Sequence, residues 1–275
     1  MSKYGVGKDS WLIRLLALQE RLSFKFADRV LTINQSIEDL LVARGLDRRK
    51  STIVMNSADE SRFVAVPGSS VPEAGAGQAT RFMMIYHGTL TKLYGLDIAV
   101  DAFGLVHSEM PGAELVIVGG GPEMEPLRAQ AHRLGLSDKV KIVGHVPSSE
   151  IPGWLSRATI GVLPIRQDVF LDHAFPNKLP EFIISGKTVL VSRLRAIGHY
   201  FSDEALAYAE PNSPVELSTQ MLRLYRDPEW RDRLQHQARR EYAPIRWELM
   251  KARYLAVIQQ LNGAVAEAAR AQRTA

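Results

Sequence analysis

Phe82-Met83-Met84-Ile85-Tyr86 and Leu115-Val116-Ile117-Val118-Gly119-Gly120-Gly121-Pro122 are the two runs on which the fold turns. Each begins with a short, almost unbroken apolar stretch of the kind that forms a fully buried strand. Between them Leu96, Ala99, Val100, Phe103 and Val106 recur at helical spacing. The unit is therefore strand, helix, strand. It repeats downstream: Val140-Lys141-Ile142-Val143, Ile160-Gly161-Val162-Leu163 and Val189-Leu190-Val191 are expected strands, with helices over residues 123–134, 149–157 and 176–185. Strands apolar on both faces, alternating with helices, predict an α/β fold with a Rossmann-like parallel sheet covered on both sides. Ligands of such sheets bind outside the carboxyl ends of the strands.

Outward toward the N-terminus the grammar is sparser. Trp11, Leu12, Leu15, Leu16, Leu18 and Leu22 predict a helix over residues 11–27, and residues 29–33 a strand. Asn34 and Ser36 are candidate caps for a helix through Ile37, Leu40, Leu41 and Val42 that stops at Gly45. Thr52-Ile53-Val54-Met55 is a further strand. Two strands fall short of the three or more that a self-sufficient sheet needs. Residues 61–80, centred on Val66-Pro67-Gly68-Ser69-Ser70-Val71-Pro72, have the composition of a linker. Toward the C-terminus, Val215, Leu217, Met221, Leu224 and Tyr225 form one helical stripe. After Pro244, Trp247, Met250, Tyr254, Val257 and Leu261 form another, and the tail 264–275 is expected to fray. The expected organisation is residues 1–60, a linker 61–80, a ligand-binding domain 81–245 and a closing helix 246–275.

The 275 residues are 46% hydrophobic and 23% charged, which excludes disorder as the main state. With 0 cysteines there are no disulfides, thiol nucleophiles or zinc–cysteine sites. The net charge of +4 is a mild excess, suited to anionic small molecules or a membrane surface and not demanding nucleic acid. No apolar run approaches the roughly 18 residues of a membrane span, and the polar start Met1-Ser2-Lys3 is unlike a secretory leader. The expected location is cytoplasmic, with peripheral contact at the inner membrane left open.

Four strand ends carry chemistry. In Tyr86-His87-Gly88-Thr89-Leu90-Thr91-Lys92, Gly88 lets backbone approach a ligand and Lys92 adds a cation; taken alone, an ordinary turn with an exposed lysine fits better. Gly119, Gly120 and Gly121 permit close approach of a pyrophosphate or sugar. They make neither G-x-G-x-x-G, since Met124 holds its last position, nor a Walker loop. Gly144-His145-Val146 ends the next strand and offers backbone groups to a base. The fourth, His173-Ala174-Phe175-Pro176-Asn177-Lys178-Leu179-Pro180-Glu181, is the most informative. Pro176 suits a first helical turn, and Lys178 adds a full charge to the partial positive charge of the helix start, a combination fit for a diphosphate. Glu181, one turn on, faces the same way as Asn177 and Lys178 and would accept hydrogen bonds from a vicinal diol.

With these pieces in this order the chain resembles the family-four retaining glycosyltransferases of GT-B fold, over about residues 20–262. Ile53-Val54-Met55-Asn56-Ser57-Ala58-Asp59-Glu60-Ser61-Arg62-Phe63 looks like that family's interdomain segment. Phe175-Pro176-Asn177-Lys178-Leu179-Pro180-Glu181-Phe182 with Ser185-Gly186-Lys187 is similar to its donor-binding signature. The resemblance implies transfer of a sugar from a nucleoside diphosphate sugar, as co-substrate, to a saccharide or lipid-linked acceptor, without a further cofactor. It implies a diphosphate held by Lys178, Lys92 and the helix start at Phe175 and Pro176, and a ribose held by Glu181. Gly88, Thr89, Gly119, Gly120, Gly121, His145, Val146, Asn177 and Leu179 would complete the donor site. His173 and Lys178 are the catalytic candidates. No Asp-x-Asp occurs, in keeping with a metal-independent site.

The sequence departs from the family at two places. His173 stands where the first of two glutamates eight positions apart often falls, and Thr89 and Tyr94 stand where many members carry arginine and lysine. A GT-B enzyme also has two Rossmann-like domains, of which the first is represented here by little more than one strand and its helices. The expectation is a truncated or split transferase, self-associating or completed by a partner chain. The rivals are a nucleotide-sugar-binding module without catalysis, and an epimerase of the same architecture. A dehydrogenase lacks its fingerprint.

Overall fold

The computed structural model describes the backbone of residues 11–63 and 82–274 and the side chains as far as residue 263. It divides into two compact units, Met1–Asn56 with Glu248–Ala275, and Ser57–Trp247. Most of the expected linker, residues 64–80, lies outside the described residues.

In the first unit α1 (Trp11–Phe26) leads to β1 (Val30–Thr32), α2 (Gln35–Ala43) and β2 (Ser51–Ile53). The strands pair in parallel, Val30 opposite Ser51 and Thr32 opposite Ile53. Asn34, fully buried, is the cap of α2: its side chain accepts the N–H of Ile37 at 2.9 Å, while Ser36 is buried in the first turn. The end of α1 is held by a cation. The Nζ of Lys50 donates to the carbonyls of Ala27, Lys25 and Phe24 at 2.7, 3.0 and 3.3 Å, groups that a helix end leaves unpaired. The unit is closed by the part of a long helix that begins at Glu248. There Met250 is fully buried, its sulfur taking the N–H of Met55 at 3.3 Å. No residue of α1 is buried; Trp11 is 74% and Phe26 93% exposed.

The second unit holds β3 (Phe82–His87), α3 (Leu96–Val106), β4 (Ala113–Val118), α4 (Met124–Arg133), β5 (Val140–Gly144), α5 (Ile151–Arg157) and β6 (Ile160–Leu163). It continues with α6 (Lys178–Ile184), β7 (Thr188–Ser192), α7 (Arg195–Gly198), β8 (Ala207–Ala209), α8 (Pro214–Arg226) and α9 (Pro228–Tyr242). The remaining helix, α10 (Trp247–Thr274), runs on into the first unit. Strands β3 to β8 form one six-stranded sheet, ordered β5-β4-β3-β6-β7-β8, and every pair is parallel. Every residue of β3, β4, β6 and β7 is buried, as the unbroken apolar runs require. Helices flank the sheet, α3 packing on α4 and α8, and α6 on α9. The order reverses between β3 and β6, and at such a switch point the flanking loops splay apart to leave a crevice.

Two expectations change. The helix expected over residues 176–185 begins at Lys178; Pro176 lies before the cap Asn177, its carbonyl taking the N–H of Leu179 at 3.0 Å. The tail expected to fray continues as helix to Thr274. Sequence reading also missed β8, α7 and α9. Ala207-Tyr208-Ala209 lacks the β-branched residues that mark a strand, and α9 buries only the sparse stripe Leu234, Ala238 and Tyr242.

Candidate functional site

A cavity of about 370 Å³ opens at the carboxyl end of the sheet in the second unit. Its floor is backbone. The N–H of Gly88 bonds the carbonyl of Val118 at 2.9 Å, and that of Gly119 the carbonyl of Gly144 at 2.8 Å, so the loops after β3, β4 and β5 are stitched edge to edge. The stitching demands glycine at two points. Gly119 has φ +143°, and a Cβ on it would lie 1.8 Å from the carbonyl oxygen of Gly88. Gly88 has φ +124°, and a Cβ there would lie 2.1 Å from Cε of Lys178. These loops therefore carry no side chain where a ligand backbone would run.

The wall facing the glycines comes from α6, where Asn177, Lys178 and Glu181 all line the cavity. Burial lowers the pKa of Lys178, and the nearby Glu181 carboxylate counters that shift. For Glu181 burial raises the pKa, while Lys178 and Arg62 oppose it. Beneath them His87 is buried at the end of β3, its ring edge-on to Phe182 at 5.1 Å between centroids. Burial, reinforced by Lys178, lowers its pKa to about 4, so the imidazole is neutral at pH 7. The Nε2 of His87 lies 3.2 Å from a Glu181 oxygen but outside hydrogen-bond geometry. The site thus sets the Lys178 amine, the Glu181 carboxyl and the neutral His87 imidazole over a glycine floor, with Arg62 and His145 also lining it.

Of the residues predicted from the sequence, Gly88, Thr89, Gly119, Gly120, His145, Val146, Asn177, Lys178 and Glu181 meet at this cavity. The others do not line it. Gly121 backs onto the Leu90 carbonyl. Lys92 is exposed, its carbonyl engaged by Nε of Arg166 at 3.0 Å. His173 sits in the short turn Leu171–His173, and Pro176 precedes the cap of α6. Phe175 packs on Tyr200 and Phe201, and Leu179 is fully buried in the core. The seven-residue helix also starts too late, and is too short, for the half-charge of a long helix N-terminus. The cation at this wall is the Lys178 side chain.

Sequence reading missed His87, Arg62 and Phe63 as lining residues. Arg62 donates to the Ser148 carbonyl at 3.1 Å. Both Arg62 and Phe63 belong to the segment quoted as interdomain, and His87 to the first strand-end motif, so the signal was present without a role attached.

The family model for glycosyl transferases group 1 matches residues 81–227, just over half of the chain. The chain belongs to the group 1 glycosyl transferases. Among curated proteins it is similar to a GDP-mannose-dependent alpha-(1-6)-phosphatidylinositol monomannoside mannosyltransferase of Mycobacterium tuberculosis. That match is 40% identical over 26% of this chain and 19% of the relative. It is also similar to a 2-deoxystreptamine N-acetyl-D-glucosaminyltransferase of Streptomyces fradiae, 29% identical over 55% of this chain and 37% of the relative. The group 1 chain thus spans well under half the length of these relatives. Among solved structures, Anabaena Alr3699/HepE in complex with UDP superposes with a TM-score of 0.76 at 17% identity, over 94% of this chain and 70% of that one. Sucrose-phosphate synthase from Thermosynechococcus elongatus gives 0.73 at 19% identity, over 95% and 65%. The likeness is one of fold, and the fold is that of the GT-B glycosyltransferases. Among the described residues no helix is long and apolar enough to cross a membrane.

Proposed function

We propose that the cavity binds a nucleoside diphosphate sugar and that the chain takes part in sugar transfer to a saccharide or lipid-linked acceptor, with retention at the anomeric carbon. The observation that carries this reading is the meeting of Lys178 and Glu181 across a floor of Gly88, Gly119 and Gly120 at the switch point of the sheet. The glycine floor admits a diphosphate, and Lys178 stands against the charge that grows on it as the bond to the sugar breaks. Glu181 accepts hydrogen bonds from the ribose diol. His145 and Val146, which line the same cavity, are assigned to the base. The names of the relatives support this donor class: one is GDP-mannose-dependent, and one structural neighbour is complexed with UDP.

The test is calorimetric titration of the purified chain with UDP and GDP beside uridine and guanosine, for the parent and Lys178→Ala. The expected result is diphosphate binding that the variant loses, while the weaker nucleoside affinity is unchanged. Equal losses for nucleoside and diphosphate would remove Lys178 from the phosphate site. A transfer assay on the same sample then separates a transferase from a binding module.

A further inference from the structure

Lys178 is half-buried, in unusual company. Its Nζ stands 4.5 Å from the centre of the Tyr94 ring and 5.7 Å from that of Tyr86. Among the described residues no oxygen is in hydrogen-bond geometry with it. Its methylenes fill the space that any side chain at position 88 would occupy. An ammonium partly withdrawn from water, with no protein oxygen in hydrogen-bond geometry, is disfavoured in its charged form, and burial lowers the pKa of Lys178 accordingly. A ring face within about 6 Å offsets part of that cost, because the negative face of the π-system attracts the cation without consuming an N–H.

Tyr94 is well placed to supply this face. It ends the turn Lys92–Tyr94, and Arg166 fastens that turn to the chain after β6. The N–H of Arg166 donates to the Leu93 carbonyl and its Nε to the Lys92 carbonyl, each at 3.0 Å, while its guanidinium pairs with Asp97. The ring is thus carried on a braced support.

We propose that Tyr94 is a positioning residue for Lys178: its ring face holds the ammonium charged and over Gly88, leaving the N–H donors for the oxygens of a nucleoside diphosphate. This rests on the donor-site reading above. The charged and titratable groups facing Lys178 are Glu181 on its own helix, and His87 and Tyr86 on β3 beside Tyr94. Arg62 and His145 share the cavity. Of these only the rings and Glu181 favour the charged lysine.

The experiment is a ring series, Tyr94→Phe, Tyr94→Trp and Tyr94→Leu. Affinities for UDP, GDP, uridine and guanosine are measured from pH 6.5 to 9.5, and circular dichroism verifies the fold. Tyr94→Phe and Tyr94→Trp are expected to keep parental affinity. Tyr94→Leu is expected to lose about tenfold for the diphosphates only, the loss deepening as pH rises, since its Lys178 gives up the proton earlier. If Tyr94→Leu unfolds, Tyr94→Met replaces it with the same expectation. Phe as damaging as Leu, a loss shared by the bare nucleosides, or a loss independent of pH would each overturn the proposal. A parent that binds no diphosphate overturns the donor-site reading and this inference together, whereas a binding parent with a flat series overturns only this one.

Discussion

On the proposed reading Glu181 meets a diol with a carboxylate that burial pushes toward neutrality, a shift that the cations at Lys178 and Arg62 oppose. Glu181→Ala is accordingly expected to weaken nucleoside diphosphate binding by about 1.5–3 kcal/mol, the range for hydrogen bonds to a charged group, as read by calorimetry on a folded variant. His87 gives a pH signature. Its folded pKa of about 4 lies below the ordinary 6.5, so the stability it contributes is complete above pH 6.5 and lost as pH falls toward 4. Glu181, with its pKa raised, acts in the opposite sense. Denaturation midpoints of His87→Leu are therefore expected to fall less steeply over that window than those of the parent. Gly119→Ala forces a Cβ to within 1.8 Å of a carbonyl oxygen, and a loss on the order of 3 kcal/mol in urea unfolding is expected. At this scale the sequence was legible where spacing carries direction: Asn177, Lys178 and Glu181 share one helix face whatever the fold does. It was silent on His87 and Arg62, whose roles arise only when β3 and the segment before residue 63 are brought beside α6.

Elements formed by unbroken apolar runs were legible almost to the residue, because burial on both faces of a parallel sheet leaves a strand no other composition. Elements stabilised by one interaction were less so. Asn34 and Ser36 were equal candidates for the cap of α2, and only the bond from Ile37 to Asn34 separates them. Asn34→Ala is expected to cost about 1–2 kcal/mol in thermal or urea unfolding. The clamp of Lys50 on two carbonyls of α1 and that of Ala27 just beyond it had no signal at all, since residue 50 is distant in sequence from the helix it ends. Lys50→Met is expected to speed amide exchange in the last turn of α1 while leaving α2 untouched.

The two units differ in how much apolar surface their sheets can hide. In the second, six strands are covered by helices; in the first, two strands stand beside a helix with no buried residue. Native-state hydrogen exchange is expected to show β1, β2 and α1 opening at much lower free energy than β3, β4 and β6, because small sheets with exposed apolar neighbours are marginal. The exposed stripe Leu15, Leu18, Leu22 and Phe26 is also expected to bind a hydrophobic dye, a signal that Leu15→Glu with Leu22→Glu abolishes. The sheet order carries one more consequence, for synthesis on the ribosome. β3 is the first strand of its unit to be made, yet it ends at the centre, flanked by β4 and by β6, which is made some seventy residues later. A nascent chain stopped just after β5 would own the glycine floor and none of its charged wall. Affinity for a nucleotide would therefore arise abruptly in translation, once Lys178 and Glu181 have cleared the exit tunnel, which makes retention on a nucleotide resin a way to time the folding of this unit on stalled chains.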